Sequence, residues 1–237
     1  MQQKEAVRKM FDNIAGSYDS LNHIMSLDAD KSWRKTMLGK LGEGVDGRPL
    51  KVLDLACGTG DSTIAIARGL PRAKVTGLDL SEGMLKVMEG KVEKEGLGDR
   101  ITAVRGDGEN LPFSESSFDR VAIAFGIRNF QNREQGLAEM LRVLRPGGRL
   151  VILELSLPEQ KLIRGLFKLY FLHILPLIGG LISGNRGAYR YLPESVLRFP
   201  SREVFLDMMK SAGFSSVGHK ALTFGICRMY WGDKALQ

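Results

Sequence analysis

Short apolar runs that end in acids or small residues alternate along this chain with stretches whose apolar residues recur at helical spacing. Val52-Leu53-Asp54-Leu55 reads as a buried strand running into the turn Ala56-Cys57-Gly58-Thr59-Gly60-Asp61 and then a helix. Val75 to Leu78 is a second run ending in Asp79, Ile101 to Val104 a third followed by Asp107, and Asp119 to Phe125 a fourth carrying Gly126-Ile127-Arg128-Asn129 at its end. Ser81 is placed to cap a helix with Met84, Leu85, Met88 and Val92 on its inner side. Arg133 to Leu144 repeats the pattern through Leu137, Met140, Leu141 and Leu144. Pro146-Gly147-Gly148 stops it, and Leu150 to Leu155 is a fifth strand. Such alternation predicts an α/β fold, a doubly wound, mostly parallel sheet with helices on both faces.

The ends of the chain depart from this rhythm. Val7, Met10, Phe11 and Ile14 predict an amphipathic helix over residues 4–14, and residues 15–47 read as the rest of an N-terminal cap over the crevice at the strand ends. Residues 42–49 are loop-like. Residues 159–199 form a helical insertion after strand five, kinked or broken at Pro176 and Gly179-Gly180. A last helix, Arg202 to Ala212, ends at Gly213-Phe214. Ser216 to Leu222 and Thr223 to Trp231 then read as two antiparallel strands.

The turn chemistry narrows the ligand. Glycines let a backbone approach a ligand closely, and an acid at the tip of the next strand can grip a ribose diol. A P-loop needs Gly-Lys-Ser/Thr, but Asp61 follows Gly60; a dinucleotide fingerprint needs a third glycine where Thr63 stands. Asp54 and Asp61 flank the turn and suit a cationic, phosphate-free nucleoside. S-adenosylmethionine (SAM), with its sulfonium and ammonium, has that character. Asp107 followed by Leu111-Pro112-Phe113 is a sensible seat for adenine, an acceptor for the exocyclic amine beside an apolar wall.

With 237 residues, 43% apolar and 26% charged, the chain reads as one domain over 1–237. No run of about 20 apolar residues predicts a spanning helix, and no signal-peptide core is expected at the N-terminus. Cys57 and Cys227 read as buried free thiols in a cytoplasmic protein, and the three histidines lack ligand spacing, so no metal is expected. A net charge of +7 favours anionic partners. Without zinc spacing, an RNA-binding signature or a run of five basic residues, nucleic acid is not the expected one. Lys161, Arg164, Lys168, Arg186, Arg190 and Arg198 amid the apolar insertion favour peripheral contact with an anionic membrane surface on its inner face. The oligomeric state stays open, a homodimer included.

Five segments carry a resemblance: Tyr18 to Ser26 with Trp33-Arg34, Leu53 to Asp61, Phe125 to Asn129, Arg142 to Leu150 with Leu153 to Ser156, and Tyr189 to Leu192 with Glu194-Ser195. Along nearly its whole length the chain resembles class I SAM-dependent methyltransferases and, more narrowly, the ubiquinone/menaquinone biosynthesis C-methyltransferases. The resemblance implies a seven-stranded sheet whose last strands are antiparallel, and C-methylation of demethylmenaquinol, an isoprenoid quinol. It makes Thr59, Asp79, Asp107 and Gly108 SAM contacts, with Gly58 and Gly60 shaping the turn, Asp54 beside it and Tyr18 covering the cofactor. The chain departs from the pattern at Ala124, where some relatives carry Ser, and at Leu27-Asp28-Ala29-Asp30, where Gly-His is commoner.

A neutral ring carbon is a weak nucleophile until a ring hydroxyl loses its proton. A cation should then hold the oxyanion while some group takes the proton. Arg128 is the expected cation and Asn129 an orienting group, unless Arg128 serves in a salt bridge. Tyr189, Tyr191 and His173 are candidate substrate-pocket residues, with aromatic or core packing as the alternative. Rival readings are methylation of a benzoquinol or another lipid-like acceptor, and a non-catalytic SAM-binding or nucleic-acid-associated protein.

Overall fold

The computed structural model describes residues 2–16, 18–19, 26, 28–174 and 186–236, and of residues 2–3, 173–174 and 186–190 the backbone alone. In chain order the elements are α1 (Gln2–Ile14), α2 (Ala29–Gly42), β1 (Lys51–Leu55), α3 (Asp61–Gly69), β2 (Lys74–Asp79), α4 (Glu82–Lys94), β3 (Ile101–Arg105), β4 (Phe118–Ala124), α5 (Arg133–Val143), β5 (Leu144–Leu155), α6 (Lys161–Leu169), α7 (Arg186–Leu197), α8 (Arg202–Ser211), β6 (Ser215–Leu222) and β7 (Cys227–Asp233).

The seven strands form one sheet in the order β3-β2-β1-β4-β5-β7-β6. The first five are mutually parallel, and β7 runs antiparallel to β5 and β6. Strand alternation builds the two faces. Val52 points into a cluster with Met37 and Leu41 of α2 and Ile66 of α3, whereas Leu53 and Leu55 point into another with Leu137 and Met140 of α5 and Phe205 of α8. Strand order reverses at the β1/β4 neighbours, and such switch points open a crevice beyond the carboxyl ends of the strands.

Three expectations change. The N-terminal segment does more than cover: Trp33, Met37 and Leu41 of α2 are buried in the core of one sheet face, while among the described residues α1 and Tyr18 line the crevice. Pro146-Gly147-Gly148 does not separate helix from strand. β5 starts at Leu144 opposite Phe118, bulges, and resumes at Arg149 opposite Arg120. Gly147, at φ +73°, turns its N–H to the Lys234 carbonyl at 3.0 Å. Finally, β7 starts at Cys227 rather than Thr223, because Thr223–Gly225 form a single 3-10 turn with Phe224 in the left-handed region. Pro176 and the Gly179-Gly180 pair lie outside the described residues. Cys57 and Cys227 are both buried free thiols, and no helix among the described residues is long and apolar enough to cross a membrane.

Candidate active site

The β1–α3 turn is built around backbone that other residues tolerate poorly. Gly58 and Gly60 have φ of +56° and +88°, and a Cβ on Gly60 would stand 2.3 Å from Met88 Cγ. Ala56 adopts φ +52° without that freedom. The turn is tied to the next strand through Asp79, whose two oxygens accept the Gly58 N–H at 2.9 Å and the Ser81 N–H at 2.8 Å. Burial pushes the Asp79 carboxyl upward, against those backbone donors. The Ser81 hydroxyl accepts the Met84 N–H at 3.1 Å, the helix cap read from the sequence.

The described ends of β1 to β4 converge on a cavity of about 110 Å³, with Ala56 and Gly58, Asp79, Asp107 and Gly108, and Phe125 and Asn129 on its walls. Phe130 supplies the apolar wall. A Cβ on Gly108 would meet Phe130 Cζ at 2.5 Å, so glycine there lets the ring lie against the strand end. The segment Leu111-Pro112-Phe113 does not serve. Leu111 is buried in the core and Phe113 packs edge-on against Phe118 at 5.0 Å. The roof is Lys4, Phe11 and Tyr18. Lys4 Nζ lies 2.7 Å from Asp107 Oδ2 and 3.1 Å from Glu109 Oε2. Asp12 fastens α1 to the start of α4, accepting the Ser81 hydroxyl at 2.5 Å and the Gly83 N–H at 3.1 Å. Lys4 and Phe130 were missed in the sequence: a lysine in a charged first turn and a phenylalanine past a strand have no periodicity to mark them.

Three expected cofactor residues lie off this cavity. Asp54 is fully buried beneath the turn; its Oδ2 accepts the Thr63 hydroxyl at 2.6 Å and its Oδ1 has no partner among the described residues. Burial pushes its pKa from 3.8 to about 7. Thr59 donates its hydroxyl to Asp19, which Lys91 ties to Asp61 through contacts of 2.5 and 2.7 Å. Gly60 packs on Met88. These groups hold the turn's shape.

A second cavity, of about 410 Å³, continues past Tyr18 and Phe125, which line both. Its walls are mostly apolar: Trp33 of α2, Leu155, Ile163 and Phe167 of α6, Phe171, Leu192 of α7 and Ile226. Arg128 lines it and is also a salt-bridge partner. Its Nη1 lies 2.8 Å from Glu154 Oε1 and also donates to the Phe125 carbonyl, and Nε donates to Ser195 Oγ at 3.3 Å. Burial, the largest influence, opposes the guanidinium charge, yet Glu154 together with Tyr18 and Tyr191 outweighs it and the pKa sits above the ordinary value. Asn129 Oδ1 accepts the Tyr191 hydroxyl at 3.0 Å. Tyr191 itself lies off the cavity wall, its pKa raised by burial and lowered in part by Arg128. The side chains of Tyr189 and His173 lie outside the described residues.

The residues present fit a cationic nucleoside. Asp79 and Asp107 line the crevice at neighbouring strand ends, a Cβ on Gly58 would have nothing nearer than Tyr18 at 4.0 Å, and Phe130 adds an aromatic wall. A pyrophosphate would instead meet those carboxylates.

Comparison with known proteins agrees. The profile described as the ubiE/COQ5 methyltransferase family matches residues 1–234. The chain is 47% identical over 234 residues to the ubiquinone/menaquinone biosynthesis C-methyltransferase UbiE of Geobacter sulfurreducens, covering 98% of this chain and 90% of that protein. It is 44% identical to the demethylmenaquinone methyltransferase of Bacteroides fragilis, covering 97% and 93%. Among solved structures it resembles the [4+2]-cyclase SpnF, with a TM-score of 0.75 at 17% identity over 99% and 97% of the two chains, which is a likeness of fold. A methyltransferase from Methanococcus maripaludis gives 0.67 at 18% identity over 96% and 95%. The chain therefore belongs to the ubiE/COQ5 methyltransferase family and is a SAM-dependent C-methyltransferase of quinone biosynthesis.

Proposed function

We propose that the chain, acting as one unit over 1–237, methylates the ring carbon of demethylmenaquinol, with the cofactor in the acid-lined crevice and the isoprenoid quinol in the apolar cavity. The observation that carries this reading is the wall the two cavities share, Tyr18 and Phe125. Bound SAM supplies an electrophilic methyl group. Asp79 receives the ribose hydroxyls on the lone pairs its backbone donors leave, and Asp107 accepts the adenine amine once Lys4 yields it. Phe130 covers the base, and Tyr18 shuts the sulfonium side from water.

In the apolar cavity, Phe167, Phe171 and Trp33 clamp the aromatic rings, and Arg128 steadies the developing oxyanion. Asn129, held by Tyr191, keeps the junction in register. A guanidinium stays charged and acts here as an electrostatic partner. Holding carbon and methyl in line can supply about 7–11 kcal/mol of the barrier. The acceptor's greasy tail leaves by way of α6. There Leu162, Leu166 and Leu169 are 77%, 61% and 56% exposed beside Lys161 and Lys168, a surface suited to an anionic bilayer.

Purified protein with SAM and a short-tailed demethylmenaquinol should give S-adenosylhomocysteine and the methylated quinol, and a host lacking the gene should accumulate desmethyl menaquinone. No product with the naphthoquinol but turnover of a benzoquinol would replace this acceptor with the ubiquinone-pathway one.

A further inference from the structure

Polar groups are scarce on the walls of the acceptor cavity, and apart from Arg128 they gather mainly in one place. Asp30 and Arg34 stand one turn apart on α2, and Ser26 lies just before it; all three line the cavity. The Asp30 side chain is only 5% exposed. Its Oδ1 accepts the Ser26 hydroxyl at 2.6 Å and its Oδ2 pairs with Arg34, whose guanidinium also reaches Asp61 at 3.4 Å. A charge in the first turn of a helix is favourable, but a solvent-facing one would serve the helix equally. Enclosing it beside an apolar chamber is costly and calls for a further reason.

We propose that Asp30 is the proton acceptor of the methyl transfer, with Ser26 as relay and Arg34 as the partner that holds the carboxylate in place. This rests on the reading that the quinol occupies this cavity. Of the described residues that line it, Asp30 alone carries a carboxylate. Arg128 is held protonated, and Glu154 is fully buried against Arg128 off the cavity wall. Burial raises the pKa of the Tyr170 phenol and keeps it neutral.

The step balances. The acceptor's O–H bond breaks and its proton passes to Asp30, directly or by Ser26 giving its own proton to Oδ1 and taking the acceptor's. The electron pair left on oxygen feeds the adjacent ring carbon, which bonds to the methyl carbon as the methyl–sulfur bond breaks to leave a neutral thioether. The hydrogen on that ring carbon then departs as a proton to solvent, and Asp30 returns its proton to the ring oxygen. One proton is released for each sulfonium consumed.

Asp30→Asn keeps the shape and an oxygen for Ser26 but cannot take the proton. Its kcat should fall by about a hundredfold or more, with SAM affinity by calorimetry and melting temperature unchanged and the quinol KM little altered. Asp30→Glu should recover part of the rate, and Ser26→Ala should fall in between. The wild-type kcat should lose activity towards acid as Asp30 protonates, whereas in Asp30→Asn that limb disappears. Among the described residues, the charged or titratable groups that line the cavity with Asp30 or pair with its partner are Arg34 on its own helix, Asp61 on α3, Arg128 beyond β4, Tyr18 and Tyr170, and the limb should persist in Asp61→Asn. Without any cofactor, bound 1-naphthol, a strong photoacid, should emit from its anion in wild type and from its neutral form in Asp30→Asn. An Asp30→Asn enzyme with near-normal kcat and an unchanged acid limb overturns the proposal. A wild-type enzyme that turns over no quinol overturns instead the acceptor reading beneath it.

Discussion

Asp54 leaves one buried oxygen without a partner and holds the other against Thr63, with burial raising its pKa to about 7. Below about pH 3 the group is largely neutral in both folded and unfolded chains. As pH rises the unfolded chain releases this proton first, so the stabilising preference for the protonated fold is lost progressively up to about pH 7. The full loss is on the order of 4 kcal/mol. Asp54→Asn keeps the acceptor for Thr63 and removes the titration. Its melting temperature relative to wild type should climb between pH 4 and pH 8, and a constant difference across that range would show that Asp54 does not titrate there. Asp79 has the other fate: its side chain lines the crevice while both oxygens hold backbone. Asp79→Ala should weaken SAM binding, measured by calorimetry, by at least about tenfold and also lower stability, because the Gly58 and Ser81 N–H groups lose their acceptor. The sequence reading set both acids at the cofactor, Asp79 as a strand tip and Asp54 as a flank of the glycine turn. What separates them is position: Asp54 is interior to β1 and sits beneath α3, whereas Asp79 is the last residue of β2.

At the scale of elements, α1 is a lid in a specific sense. Its Lys4 occupies the carboxylates of Asp107 and Glu109, and its Asp12 caps α4 through Ser81 and Gly83. Asp12→Ala removes a capping contact worth about 1 kcal/mol, so α1 should open more often. Faster amide exchange over residues 2–14 and roughly fivefold faster SAM release are expected. Unchanged exchange would mean that Phe11 and Tyr18, edge-on at 6.0 Å, hold the lid by themselves. The βα rhythm of the sheet was legible because strand ends, glycine turn and Ser81 cap are local signals. The role of α2 was not. Trp33, Met37 and Leu41 recur at helical spacing, but nothing local says whether such a face meets a ligand or a sheet, and the helix does both: Met37 and Leu41 pack in the core, while Trp33 at its start also lines the acceptor cavity. Phe130 was likewise hidden, since its place depends on Gly108, some twenty residues earlier, leaving room for its ring.

For the molecule as a whole, the apolar cavity reaches α6, a helix that carries Lys161, Arg164 and Lys168. Leu166 lines the acceptor cavity and is 61% exposed, so the chamber's mouth opens at the leucine ridge of α6. Leu162, Leu166 and Leu169 follow one another by four and three residues, one face of the helix, while Phe167 turns inward to stack on Phe171 at 4.8 Å. Fully burying a leucine contributes about 1.5–3 kcal/mol, and the net charge of +7 adds attraction to an anionic surface. Replacing all three leucines by serine should therefore reduce binding to vesicles containing phosphatidylglycerol by at least about thirtyfold, even with each side chain only partly inserted. Turnover of a short-tailed quinol in solution should fall only mildly, because Leu166 alone of the three touches the cavity wall, while turnover of a long-tailed quinol embedded in vesicles should collapse. Raising salt should weaken wild-type binding through the charge contribution alone, leaving the leucine contribution measurable at high salt. Equal sedimentation of wild type and triple variant with such vesicles, at low and high salt alike, would place the membrane contact elsewhere and leave the ridge without this role.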